Sequence, residues 1–150
     1  DLVDQEKHDV LEAGYLAEIG KTIVPENILN RNGGLTEDDF THIHMHPREG
    51  VRKLRNAGYE NERMLELIEC HHENYDGSGY PAGIREDNIP LGARILAVAE
   101  AYISLTSKRP YRDPWDGNAA LNELGKYVRS GKFDPAIVEE LGQIIAELPD

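Results

Sequence analysis

The dodecapeptide CHHENYDGSGYP, residues 70–81, sets two adjacent histidines against a glycine-rich turn. Upstream of it, Asn61 is suited to capping a helix in which Met64, Leu65, Ile68, His71, His72 and Tyr75 recur at helical spacing. The pattern predicts a helix that carries both imidazoles on its core-facing side and ends where DGSGYP forces a turn. The same periodicity recurs on either side of this stretch, with no convincing two-residue alternation, so the predicted fold class is all-α with about six or seven helices.

Working outward, Val3, Val10, Leu11 and Gly14 outline a first helix expected to stop near Gly20, and GKTIVPENILNRNGG reads as a loop. Thr36 followed by Asp39 resembles a capping box opening a helix with Phe40 and Ile43; Pro47 breaks or restarts that helix, which continues through Val51 and Leu54 to Gly58. Beyond the turn, Pro90 is placed to begin a helix with Leu91, Ile95, Val98, Tyr102 and Leu105. TSKRPYRDPWDG is a loop by its prolines and glycine. Two helices follow, one with Leu121, Leu124 and Val128 stopped by Gly131, the other from Asp134 and Pro135 with Ile137, Val138, Leu141, Ile145 and Leu148.

Composition narrows what such a bundle can do. With 150 residues the chain is expected to be one domain, residues 1–150, large enough for a core without disulfides, and its single cysteine, Cys70, fits a reducing compartment. No run of apolar residues is long enough to span a membrane, and no signal peptide is visible, so a cytoplasmic placement is expected. A net charge of −12 argues against a DNA-binding role, because phosphate-backbone affinity rests on clustered Lys and Arg. The stretch from Arg94 to Lys132 nevertheless carries seven basic residues against four acidic ones, which leaves room for a local anion site.

The chemistry-bearing residues suggest a metal. Successive helical residues point about 100° apart, so His71 and His72 are expected to serve two neighbouring ions rather than chelate one. Two metals about 3.5 to 4 Å apart can clamp the attacking and leaving oxygens of a phosphodiester. His46, at the kink HMHP, can project from another helix, and Glu100 lies among alanines where a carboxylate has no evident structural use. Mixed imidazole and carboxylate ligands favour Fe or Mn over a thiolate cluster. His42 and His44 read as exposed helix residues and Cys70 as a packed thiol.

HHENYDGSGYP resembles the HHExxDGxGYP signature of HD-GYP domains, the bacterial cyclic-di-GMP phosphodiesterase branch of the HD hydrolase superfamily. The resemblance runs along nearly the whole chain: IGKTIVPENILNRNGGLTEDDF is similar to the family's IGKxxIPxxIL segment, HPREG to HPxxG, IPLGARILAVAEAYISLTSKRPYR to IPLxARIxxVADxxDALTSxRPYR, and FDP to FDP. It implies a metal centre of His46, His71, His72 and Glu100 that activates a hydroxide against cyclic-di-GMP. It implies substrate contacts from Lys21, Arg109, Arg112 and Tyr80, with Lys21 and Glu18 as catalytic residues and a cytosolic messenger as ligand. Asp76, Gly77, Gly79, Tyr80 and Pro81 match the GYP loop, where glycines permit the turn and Asp76 can cap it.

The chain also departs from the pattern. Ala17-Glu18 stands where the family has its His-Asp doublet, Glu100 stands for an aspartate, and Ile103 replaces a second aspartate near the ligand pocket. The family's most N-terminal ligands belong to a helix expected upstream of Asp1, preceded in turn by a sensory or receiver domain, and what remains here is a partial site of His46, His71, His72 with Glu100 and Glu18, enough for one ion. The expected protein is therefore a degenerate HD-GYP signalling domain with weak or no phosphodiesterase activity and possible binding to a nucleotide or a protein partner; the alternative is an active metal-dependent phosphodiesterase.

Overall fold

The computed structural model describes residues 2–31, 34–109 and 112–147. Among these, seven α-helices of eight or more residues and a single-turn helix form the fold, with one isolated bridge between Arg109 and Arg112 in place of any strand. They are α1 (Asp4–Leu16), α2 (Glu26–Leu29), α3 (Glu37–His44), α4 (His46–Asn56), α5 (Glu62–Cys70), α6 (Leu91–Thr106), α7 (Gly117–Arg129) and α8 (Pro135–Glu147). Short 3-10 segments cover Ala17–Ile23 and Glu86–Asn88.

Local chemistry accounts for most boundaries. Thr36 Oγ1 accepts from the Asp39 amide while Asp39 accepts from the Thr36 amide, the expected capping box. Asn61 caps α5 by accepting from the Met64 amide, and Asp116 caps α7 by accepting from that of Ala119. Pro47 sits in the first turn of α4, where its missing N–H does no harm, and so restarts the helix as expected.

Several expectations need correction. The first helix stops at Leu16, and the chain tightens into the 3-10 segment before Gly20, because Gly20 lies against the backbone of α4. A Cβ on Gly20 would fall 1.8 Å from the His46 carbonyl oxygen. The predicted loop from Gly20 contains the end of this segment and α2, which starts after Pro25. Val3 and Leu11 are 62% and 65% exposed, and the buried residues of α1 are Asp9 and Ala13. Helix α5 ends at Cys70, short of the periodicity that reaches Tyr75, whose amide instead donates to the Lys132 carbonyl. Pro110, Tyr111 and Leu148 lie outside the described residues.

The apolar stripes build two clusters. Ala13, Val51, Leu54, Met64, Leu65, Leu67, Ile68 and Ala93 bring α1, α4 and α5 onto the first half of α6. Val98, Leu105, Ala120, Leu124 and Phe133 bring α7 and the start of α8 onto its second half. Helix α6, 16 residues and about 24 Å long, is thus the shared spine. Arg94 of α6 pairs with Asp134 at 2.8 Å, fixing where α8 begins. No described helix is long and apolar enough to cross a membrane.

Candidate metal centre

Three elements meet at one point. The 3-10 segment brings Glu18, the start of α4 brings His46, and the end of α5 brings His71 and His72. Because α5 has ended by His71, its C-cap, the 100° separation of a continuous helix does not apply, and the two rings lie side by side with centroids 4.0 Å apart. One ligand atom from each of Glu18, His46, His71 and His72 lies within 4.8 Å of the other three. That span suits one coordination sphere, since ligand bonds of about 2.0–2.2 Å place opposite ligands about 4 Å apart. Of the residues the sequence offers for a partial, one-ion site, His46, His71, His72 and Glu18 thus lie around a single point, and Glu100 does not join them.

Protonation favours metal binding. His46 Nδ1 lies 2.6 Å from the Ile43 carbonyl oxygen and His71 Nδ1 2.6 Å from that of Ile68. A carbonyl only accepts, so in both rings Nδ1 is assigned the proton and Nε2 the lone pair. These nitrogens face Glu18 Oε1 at 3.3 and 3.6 Å, with His72 Nε2 at 4.0 Å. All four atoms are buried and none has a hydrogen-bond partner. Buried lone pairs facing one another are costly, and a cation is what satisfies them. Burial, with the neighbouring His71 and His46, pushes His72 down to about 2, so it stays neutral. Burial opposes ionisation of Glu18, but the Lys21 ammonium paired with it favours the charged form and helps hold the carboxyl below the usual range.

A cleft of about 600 Å³ opens beside this centre, lined by His71, His72, Tyr80, Glu100, Ser104 and Lys132 among others. Its size is ordinary for a small-molecule site. Glu100 is exposed on α6 and outside the group of four; it faces the cleft. Lys21 is paired with Glu18, beside the centre. Arg112 donates to the Ser104 and Leu105 carbonyl oxygens at 2.7 and 3.2 Å and lies over Trp115, so it secures the end of α6. Arg109 is exposed and reaches Ser104 Oγ at 3.2 Å, near the cleft rim. Ile103 is 60% exposed. Cys70 is free and buried, and burial with nearby Glu73, Glu66 and Glu69 pushes its thiol up to about 12.

The glycine-rich turn forms one wall. Asp76 Oδ1 accepts from both the amide and hydroxyl of Ser78, the expected cap. Gly79 touches its neighbours so closely that a Cβ would lie 2.1 Å from the Asn74 nitrogen. Burial, with Glu18 and Glu100, raises the Tyr80 phenol above its usual range. Two residues escaped the sequence reading. Glu73 is buried, and its Oε1 accepts from the Ala82 and Gly83 amides at 2.6 and 3.1 Å, clamping the turn; its place directly after the histidines was the available signal. Lys132 lines the cleft with its ammonium 5.0 and 5.2 Å from the Tyr127 and Phe133 rings. The basic excess between Arg94 and Lys132 pointed to it only in bulk.

Comparison with known proteins places this arrangement. The HD domain family matches residues 1–137. A cyclic di-GMP phosphodiesterase of Pseudomonas aeruginosa is 35% identical over 91% of this chain and 33% of its own length. The cyclic di-GMP phosphodiesterase response regulator RpfG of Xanthomonas campestris pv. campestris is 40% identical over 93% of this chain and 37% of its own. This chain therefore spans about a third of these relatives. Among solved structures, a HDG"Y"P protein from Bdellovibrio bacteriovorus shares the fold, with a TM-score of 0.73 and 21% identity over 96% of this chain and 45% of that one. The helical bundle, the gathered imidazoles and these matches agree: the chain belongs to the HD domain family and carries the HHExxDGxGYP signature of its HD-GYP branch.

Proposed function

We propose that the chain is a cyclic-di-GMP signalling domain that holds one divalent metal, Fe or Mn, and has weak or no phosphodiesterase activity. The observation that carries this reading is the set of four buried, unpartnered donors around one point. Three imidazoles and a carboxylate, without a thiolate, suit these metals. A divalent ion there would supply Lewis-acid polarisation of a phosphoryl oxygen. Glu18, His46, His71 and His72 would hold it.

Ala17 is the reason for expecting little turnover. It is buried beside Glu18 and offers no donor atom, so the ligands for a second ion are short by at least one. A single ion lacks the clamp on both attacking and leaving oxygens that a metal pair provides. The remaining residues fit binding. Lys21, paired with Glu18, would meet a phosphate beside the centre, Arg109 reaches Ser104 of the cleft lining, Lys132 adds a cation to the cleft, and Tyr80 forms part of its wall. Arg112 acts indirectly, by holding the loop that carries Arg109. This reading places the protein in the cytoplasm, with the messenger.

Calorimetry with cyclic-di-GMP on Mn-loaded protein, alongside chromatographic detection of the linear product, tests the proposal. Binding with turnover well below the common range of about 1–10³ s⁻¹ is expected. Restoring the doublet with Ala17→His and Glu18→Asp should raise turnover. Fast hydrolysis by the unmodified chain would overturn the claim of weak activity, and absence of binding would leave protein partners as its ligands.

A further inference from the structure

Phe40 belongs to neither hydrophobic cluster and is 46% exposed, although α3 is short and has few other apolar residues. Its ring leans on His44, one turn along α3, with centroids 5.9 Å apart and planes at 47°. His44 in turn stacks on Tyr80 of the glycine-rich turn, at 3.9 Å and 20°. Tyr80 then lies 5.0 Å from His72 at 31°. All four side chains line the cleft, so a ladder of π faces runs from exposed α3 to the candidate metal centre.

Packing does not explain this arrangement. A core phenylalanine would be buried, and an aromatic pair one turn apart on a helix surface contributes only a few tenths of a kcal/mol. An exposed π face in a cleft, leading to a centre suited to a phosphodiester, has the features by which proteins hold nucleobases. Stacking on aromatic side chains is strong and tolerant of base identity.

We propose that Phe40 and His44, backed by Tyr80, form a stacking platform for one purine base of a cyclic dinucleotide whose phosphodiester faces Glu18, His46, His71 and His72. The proposal rests on the cyclic-dinucleotide reading above and adds the subsite that receives the base. Phe40 and His44 come from α3, and neither stands on one of the specified positions of the family motifs quoted above. Tyr80 joins α3 to the glycine-rich turn, so the platform is built from two elements.

The test uses the Mn-loaded chain and cyclic-di-GMP, with an analogue in which 2-aminopurine replaces one guanine, because stacking quenches 2-aminopurine fluorescence. Phe40→Ala is expected to weaken binding about tenfold, within the range found for removal of one stacking partner. It should also relieve the quenching. Phe40→Trp should restore both, and Mn affinity should be equal in all three proteins. Equal nucleotide affinity and quenching in Phe40→Ala would overturn the platform while leaving the broader reading intact. Loss of Mn binding in that variant would overturn it too, by showing that Phe40 supports the fold. A wild-type chain that holds Mn yet binds no cyclic-di-GMP would overturn both.

Discussion

Histidine nitrogens and a carboxylate oxygen that meet without a hydrogen between them are the smallest unit of this account. His46, His71 and His72 could be named from the sequence because a doublet of imidazoles and a third at a helix kink are conspicuous types in conspicuous places. Glu18 was legible only as a doubtful stand-in for an aspartate, and its reach into the group depends on a 3-10 turn that no periodicity announces. Glu100 drew attention for its alanine neighbours, yet it is exposed on α6, since small neighbours do not by themselves bury a side chain. Asp9 went unnoticed altogether. It is 1% exposed, and its Oδ1 accepts from Gln5 and Asn61 at 2.9 and 2.8 Å, joining α1 to the cap of α5. Burial opposes its ionisation, but these hydrogen bonds and Arg63 prevail and hold it below its ordinary 3.8. Since the folded-state value is depressed, its stabilising contribution is complete above pH 3.8 and is lost as pH falls through the folded value. Denaturant unfolding should show Asp9→Ala destabilised by about 1–3 kcal/mol at pH 7. The deficit should shrink in acid below pH 3.8, and a constant difference would count against this role.

At the scale of elements, the caps were readable and the irregular pieces were not. Thr36, Asn61 and Pro47 act through neighbouring backbone groups, so local sequence sufficed to place α3, α4 and α5. The end of α1 was misplaced because its cause is tertiary: Gly20 meets the backbone of α4, where the glycine's Cα approaches the turn around His46. That contact sets Glu18 opposite His46. A Cβ at Gly20 would lie 1.8 Å from the His46 carbonyl oxygen and 2.7 Å from the Gly50 nitrogen, both backbone atoms that cannot swing away. Gly20→Ala is therefore expected to separate the 3-10 segment from α4, lowering the melting temperature and weakening metal binding at least tenfold, by the scale seen when supports of metal ligands are disturbed. Titration of Mn²⁺ into the variant measures this. Unchanged affinity would show that Glu18 does not need that contact to reach the site.

For the whole molecule, α6 joins two cores, and the candidate centre with its cleft lies where the first core, the glycine-rich turn and α6 converge. The fold class and the order of the main helices followed from periodicity and the ordered motifs. Which donors share one point did not, because that depends on the 3-10 turn that carries Glu18 and on α5 ending at Cys70, directly before the histidine pair. The central claim is that Glu18, His46, His71 and His72 enclose one divalent ion. Elemental analysis by mass spectrometry of protein purified without chelator, after loading with Fe or Mn and desalting, tests it most directly. One metal per chain is the expected result, falling to near zero in His72→Ala; no retained metal, or two per chain, would contradict it.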